Sequence, residues 1–64
     1  MTHYRFAVHQ DGTRIEELGS MSLPDDCEAV EFGNGIARDL NGWQPGLAIA
    51  IIKGNRTIRS IPVA

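Results

Sequence analysis

The stretch Leu23-Pro24-Asp25-Asp26-Cys27-Glu28 marks the point where the chain changes from strand to helix. Pro24 disfavours helical backbone angles at Leu23, which ends the preceding strand. Asp25 can cap the free amide groups of a following helix, and Glu28 stands where it can close a capping box. The sequence therefore predicts a helix that begins directly after Asp25.

Small and apolar residues recur at helical spacing beyond this start, at Ala29, Phe32, Gly33, Ile36 and Leu40. We expect this stripe to face a sheet, and Gly33 would let the helix approach that sheet closely. Gly35 lies off the stripe and costs about 1 kcal/mol relative to alanine, so we expect the helix to be loose there. Asn41-Gly42 predicts the end of the helix.

Two strands joined by a tight turn are predicted before the helix. Residues 3–9 alternate between two faces, which is typical of a strand with one buried face. Asp11-Gly12 provides the positive φ that a hairpin turn needs. Residues 13–18 resume as a strand, but Ile15 and Leu18 are three apart and cannot share a face without a bulge. We place that irregularity at the glycine that follows Leu18.

A second hairpin is predicted after the helix. Residues 47–52 are strongly β-branched, and Gly54-Asn55 separates them from a last strand at 56–61. A two-residue turn there would pair Lys53 with Arg56 and Ile51 with Ile58. Pro62 restricts the last strand to an edge or an end of the sheet. Trp43, in the connection that precedes this hairpin, is expected to plug the open end of the core.

The order strand, strand, helix, strand, strand predicts an α+β fold. We expect a two-layer β-β-α-β-β domain over residues 1–64, with an antiparallel sheet and one helix packed on one face.

The small size of the domain predicts that its own core is not sufficient and that a disulfide, a metal ion or a partner subunit must add stability. A chain of 64 residues buries only about 60% of its unfolded surface. The single Cys27 excludes an internal disulfide framework. His3 and His9 stand about 20 Å apart on one strand, which is too far to share a metal ion. We predict no metal and no cofactor, so a partner subunit is the remaining source of stability.

The charges divide the chain into an acidic and a basic part. Residues 1–41 hold eight acidic and three basic side chains, whereas residues 42–64 hold three basic ones and no acids. Those three, Lys53, Arg56 and Arg59, are candidate contacts for an anion or a partner. The sequence pI of about 5.5 argues against nucleic acid, which favours domains with a pI above about 9.

The composition is that of a globular domain, with 42% hydrophobic and 22% charged residues. No apolar run approaches the roughly 18 residues of a membrane span. A single thiol and no targeting segment favour the reducing environment of the cytoplasm.

The third predicted strand carries apolar residues on both faces. In a sheet covered by one helix, such a strand should alternate between apolar and polar residues. Ala48, Ala50 and Ile52 instead fall on the outer face, where Ala7 of the first strand joins them. An apolar face on so small a domain is typical of an interface. These four residues are the candidate interface of a homodimer, since a two-fold dimer is the commonest solution.

Short motifs along the whole chain resemble a family of small bacterial proteins of unknown function that is common in rhizobia and related alphaproteobacteria. The motifs are Tyr4-Arg5-Phe6 with Val8-His9, Asp11-Gly12, Glu17-Leu18-Gly19, Leu23-Pro24-Asp25 with Glu28-Ala29, Ala37-Arg38-Asp39-Leu40 and Gly42-Trp43. The resemblance implies an aromatic first strand, a helix after Leu-Pro-Asp and a closing hairpin. It implies no activity and no functional residues. Phe32-Gly33-Asn34-Gly35 and Pro45-Gly46 depart from the family's pattern.

Three functions are compared on these grounds. The sequence favours a non-catalytic protein-interaction module that acts as a homodimer. The alternative is a regulatory nucleic-acid-binding protein, similar in layout to HicB-like antitoxins, which would use Lys53, Arg56 and Arg59. An enzyme or small-molecule binder is the third, and we expect little room in such a domain for a pocket of about 300 Å³.

Overall fold

A computed structural model describes residues 1–42 and 46–63 of the chain. Its elements are β1 (Thr2–Gln10), β2 (Thr13–Leu23), α1 (Asp26–Asp39), β3 (Leu47–Lys53) and β4 (Arg56–Pro62). The strands form one antiparallel sheet in the order β2-β1-β3-β4, and the helix packs on one face of it. The predicted α+β fold is confirmed. The expectation for Trp43 lies outside the described residues.

The first hairpin forms as predicted, but its second strand is longer than the sequence suggested. Asp11 and Gly12 take the positive φ values of 52° and 85° that the turn requires. β2 then runs to Leu23, and two shifts in its register leave Ile15 and Leu18 without partner residues on β1. The predicted bulge is present, but its extra residue is Leu18 rather than Gly19, which pairs with Phe6, and β2 has a second bulge at Ile15.

The helix begins where the capping motif predicts. The Glu28 amide donates a hydrogen bond of 3.0 Å to the Asp25 carboxylate, which confirms Asp25 as the N-cap. α1 continues without interruption through Gly35, so the expected loosening there is wrong. The helix ends at Asp39, with Leu40 as its C-cap, close to the predicted end. Among the described residues, no helix has the length and apolar character needed to span a membrane.

A close contact at Gly33 determines where the helix lies on the sheet. A Cβ atom at this glycine would stand 2.9 Å from the Cδ1 atoms of Ile51 and Ile61. The helix backbone therefore lies directly on β3 and β4. Ala29 and Ala37, one helical turn to either side, are buried in the same contact, and the sequence analysis had missed Ala37.

The core is formed by alternate residues of the two central strands. Its members from the sheet are Tyr4, Phe6 and Val8 of β1 and Leu47, Ile49 and Ile51 of β3. Of the predicted helical stripe, Phe32, Ile36 and Leu40 are only partly buried at the side of this core.

The second hairpin has the predicted turn but a different register. Lys53 pairs with Arg56 as expected. The predicted pairing of Ile51 with Ile58 is wrong, because Ile51 pairs with Arg59. Ile58 is an extra residue in β4, a bulge that places it against the core. Pro62 ends β4 at the edge of the sheet, as predicted.

Replacing Asp25 with alanine removes the capping hydrogen bond of α1. We expect the free energy of unfolding to fall by about 0.5–2 kcal/mol in urea melts. Asp39→Ala is the matched control, because Asp39 lies in the last turn, where a negative charge is mildly unfavourable. The control should be neutral or slightly stabilising, and an equal loss in both variants would contradict the capping role.

Two glycines in the same helix should respond to alanine in opposite ways. Gly35→Ala is expected to stabilise the fold by up to about 1 kcal/mol, because its Cβ atom would lie 3.9 Å from the nearest atom, of Arg38. Gly33→Ala forces the terminal methyl groups of Ile51 and Ile61 to move, and overpacking of this kind costs about 1–3 kcal/mol, of which the better helix propensity of alanine offsets about 1 kcal/mol. Urea melts of the two variants measure the difference, and a stabilising Gly33→Ala would contradict the close contact.

Candidate functional site

Three polar side chains meet where the start of the helix crosses the sheet. The Tyr4 hydroxyl donates a hydrogen bond of 2.5 Å to Oδ1 of Asp26. The Lys53 ammonium lies 3.5 Å from the same oxygen. β1, α1 and β3 each contribute one of these groups. The cluster therefore ties the helix N-terminus to both central strands.

The contacts in this cluster shift two pKa values in opposite directions. The hydrogen bond from Tyr4 holds the pKa of Asp26 below its ordinary value of 3.8, against the opposing effect of desolvation, and Lys53 lowers it further. Burial raises the pKa of the Tyr4 hydroxyl above 10.0, and its hydrogen bond to Asp26 adds to the shift. Asp26 is therefore a carboxylate near neutral pH, and Tyr4 is its protonated donor.

A broad depression of about 470 Å³ adjoins this cluster and includes Pro24 and Cys27 in its lining. This depression is wide open to solvent, so the expectation that the domain has little room for a pocket of about 300 Å³ stays a prediction. The polar atoms at its centre, however, are already bound to one another. Oδ1 of Asp26 accepts from Tyr4 and contacts Lys53. Cys27 is an exposed free thiol.

The predicted basic cluster is divided by its internal contacts. Lys53 forms an ion pair with Asp26, and Arg56 lies close enough to lower the pKa of that carboxyl group. Arg59 lies further along β4, opposite Ile51. Part of the positive charge of the second hairpin is thus matched by the acidic helix N-terminus. Arg56 and Arg59 keep exposed side chains and stay candidate contacts for a partner.

The four candidate interface residues lie on the outer face of the sheet as predicted. Ala7 pairs with Ala50, and Ile52 and Ala48 pair with the next outward residues of β1. Ala7 and Ala50 are fully buried within the single chain, and Ile52 is only 4% exposed. These three residues therefore have almost no solvent-accessible surface that a second copy could bury. Their role as an interface stays a prediction.

Longer polar side chains stand around the alanines on this outer face. Arg5 and Glu17 form an ion pair at 3.7 Å beside Ala7. His9, opposite Ala48, has an enclosed Nε2 atom with no hydrogen-bond partner among the described residues. The outer face is therefore more polar at its accessible surface than the sequence pattern indicates.

An exposed apolar surface that no sequence pattern predicted lies on the helix side of β2. Leu18 and Met21 are 40% and 39% exposed. They border a depression of about 160 Å³ together with Phe32 and Ile36 of α1. We call these four residues the β2–α1 strip. A bulge next to Leu18 was predicted, but the uncovered flank beside it depends on where the helix lies.

No group of three or more histidine, cysteine, aspartate or glutamate side chains capable of holding a metal ion occurs among residues 1–42 and 46–63.

Tyr4→Phe is expected to weaken the fold most at neutral pH. The lowered pKa of Asp26 means that its ionised form adds stability above about pH 4, and that this stability is lost as the pH falls through the lowered value. Without the tyrosine hydroxyl the pKa of Asp26 returns toward 3.8. Urea midpoints of the wild type and of Tyr4→Phe should therefore converge as the pH falls below about 4. A gap that is the same at neutral and acid pH would contradict the coupling between the two groups.

Comparisons of the chain with protein-family models, with curated proteins and with solved structures find no match. The resemblance to the rhizobial family therefore stays a prediction.

Proposed function

We propose that the chain is a non-catalytic protein-interaction module that acts as a homodimer. The observation that carries the proposal is the β2–α1 strip, where Leu18 and Met21 are about two-fifths exposed beside Phe32 and Ile36. Burial of apolar surface contributes about 25 cal/mol per Å². A partner that covers the strip adds this contribution to a domain whose own core is small.

A second copy is the partner that best fits these properties. The chain has one cysteine and no internal disulfide, so a domain of 64 residues depends on one small core. A two-fold dimer brings the same strip from both copies together, and this is the commonest symmetry of small assemblies. The outer alanines would add little to the stability of a dimer, because Ala7 and Ala50 are already buried in the single chain.

The proposal assigns a binding function rather than catalysis because the titratable cluster has structural contacts. Tyr4 and Lys53 both bind Asp26, which links the helix to the sheet. The exposed free thiol of Cys27 favours a reducing compartment, and the proposal places the module in the cytoplasm.

Self-association should appear as a dependence on protein concentration. We expect size-exclusion chromatography with light scattering to give a dimer that dissociates on dilution. If folding and association are coupled, the free energy of unfolding per dimer should rise by about 1.4 kcal/mol for each tenfold rise in protein concentration. A wild type that is monomeric at every concentration, with a constant urea midpoint, would refute the homodimer.

Two exposed positions separate the strip from the outer face. Leu18→Glu places a charge in the β2–α1 strip and should give a monomer. Ser60→Glu places the same charge on the outer face, because Ser60 is exposed and pairs with Ala50. It should leave the dimer intact. The reverse result would assign the interface to Ala7, Ala48, Ala50 and Ile52. Ala50→Glu is unsuitable, because a charge buried at this position destabilises the monomer as well.

A further inference from the structure

A groove runs between α1 and the edge strand β4, on the opposite side of the helix from the β2–α1 strip. It consists of two adjoining depressions of about 210 and 280 Å³. Asn34 of the helix and Ile61 and Pro62 of the strand border both of them. Because they share these walls, the two depressions form one channel beside β4, the α1–β4 groove.

The α1–β4 groove combines an apolar floor with cationic walls. Val30, Ala37 and Ile61 pack against the hydrophobic core and supply the floor. Arg38 and Arg59 line its two parts. Within the described residues these two arginines form no ion pair, whereas Arg5, Arg14 and Lys53 each do. The uncompensated positive charge of the groove is complementary to carboxylates, which the planar guanidinium group binds in bidentate fashion.

The strand beside the groove has one free edge. Among residues 1–42 and 46–63, β4 pairs only with β3, so its outward backbone N–H and C=O groups have no strand partner in this part of the chain. Arg59, Ser60, Ile61 and Pro62 pair in regular register with β3, beyond the bulge at Ile58. A regular free edge is a template for an added strand, and a groove next to it accepts alternate side chains of that strand.

We propose that the α1–β4 groove binds an extended, acidic peptide segment of a partner protein, which adds to β4 as a fifth strand. Backbone hydrogen bonds to β4 hold the segment, and every second side chain points toward the helix. One apolar side chain covers Val30, Ala37 and Ile61, and carboxylates on either side of it reach Arg38 and Arg59. The site lies at the edge opposite β2, so a dimer through the β2–α1 strip leaves it open.

A peptide fits these observations better than a nucleic acid does. The chain has a net charge of −2, so its long-range field repels a polyanion. The groove offers two arginines around an apolar floor, and phosphates make no use of that floor. A short peptide with few carboxylates can bind the arginines and also pack an apolar side chain on the floor.

The test uses the peptide acetyl-Thr-Glu-Thr-Leu-Thr-Glu-Thr-amide as its probe, titrated into ¹⁵N-labelled protein. Its alternate residues present the sequence acidic, apolar, acidic to one face. The expected result is binding at roughly 1 mM peptide or below, with shift changes confined to α1 and β4. Two control peptides should bind at least tenfold more weakly. One has lysine in place of glutamate, and the other carries N-methyl groups on alternate backbone amides, which block strand pairing.

Charge-reversal variants of the protein distinguish recognition of the peptide charge from damage to the fold. Arg59→Glu should lose the acidic peptide and gain the lysine peptide, which a merely damaged fold would not do. Arg14→Glu, the same change on the far edge strand, should keep the preference of the wild type.

Four results would overturn the proposal: no binding at about 1 mM, equal binding of the lysine or N-methylated peptide, shift changes at β2 instead of β4, or tighter binding of duplex DNA at Arg38 and Arg59. Changes at β4 that follow protein concentration in the absence of peptide would also overturn it, because a second copy would then fill the groove.

Discussion

The close contact between Gly33 and the side chains of Ile51 and Ile61 determines the rest of the structure. It places the helix on β3 and β4 rather than over the middle of the sheet. One helix cannot cover four strands, so an off-centre helix leaves one flank of the sheet open. On the β2 flank, Leu18 and Met21 stay exposed. On the other flank, the space between α1 and β4 forms the groove.

The cluster of Tyr4, Asp26 and Lys53 holds the N-terminal turn of the helix against the sheet. Gly33 sets how deeply the helix lies, and the carboxylate of Asp26 sets where its first turn begins relative to β1 and β3. The same cluster alters the charge distribution. It pairs Lys53 with an acidic residue of the helix, so the basic side chains without an ion pair among the described residues are Arg38, Arg56 and Arg59. The electrostatic contrast visible in the sequence is therefore partly internal to the fold.

Local signals in the sequence were sufficient for the order of the elements and for the start of the helix. Asp25 as the cap, Asp11-Gly12 and Gly54-Asn55 as turns, and Pro62 at an edge follow from backbone preferences that hold in any context. The register of the second hairpin did not follow, because the bulge at Ile58 is stabilised by packing against the core and not by the turn. Nothing in the sequence around Ile58 indicated that this residue would be the one without a partner on β3.

Burial was harder to predict than the face on which a residue lies. Strand alternation assigned Ala7 and Ala50 to the outer face correctly. It could not show that longer neighbouring side chains, such as Arg5 and Glu17, would cover these small residues. In the opposite case, Leu18 and Met21 stay exposed on the helix side of the sheet because the helix lies over β3 and β4. Exposure depends on the position of the second layer, which no local pattern contains.

The two edges of the sheet differ in the kind of contact that they can make. β2 carries bulges at Ile15 and Leu18, and Gly19 has a φ of 129°, so its backbone is a poor template for another strand. Its apolar side chains are nevertheless accessible, which favours association through side-chain packing. β4 has the reverse properties, because its last four residues are regularly paired and its apolar side chains lie at the floor of a groove. The two proposed partners, a second copy and an extended peptide, would therefore use opposite edges of the sheet and would not compete.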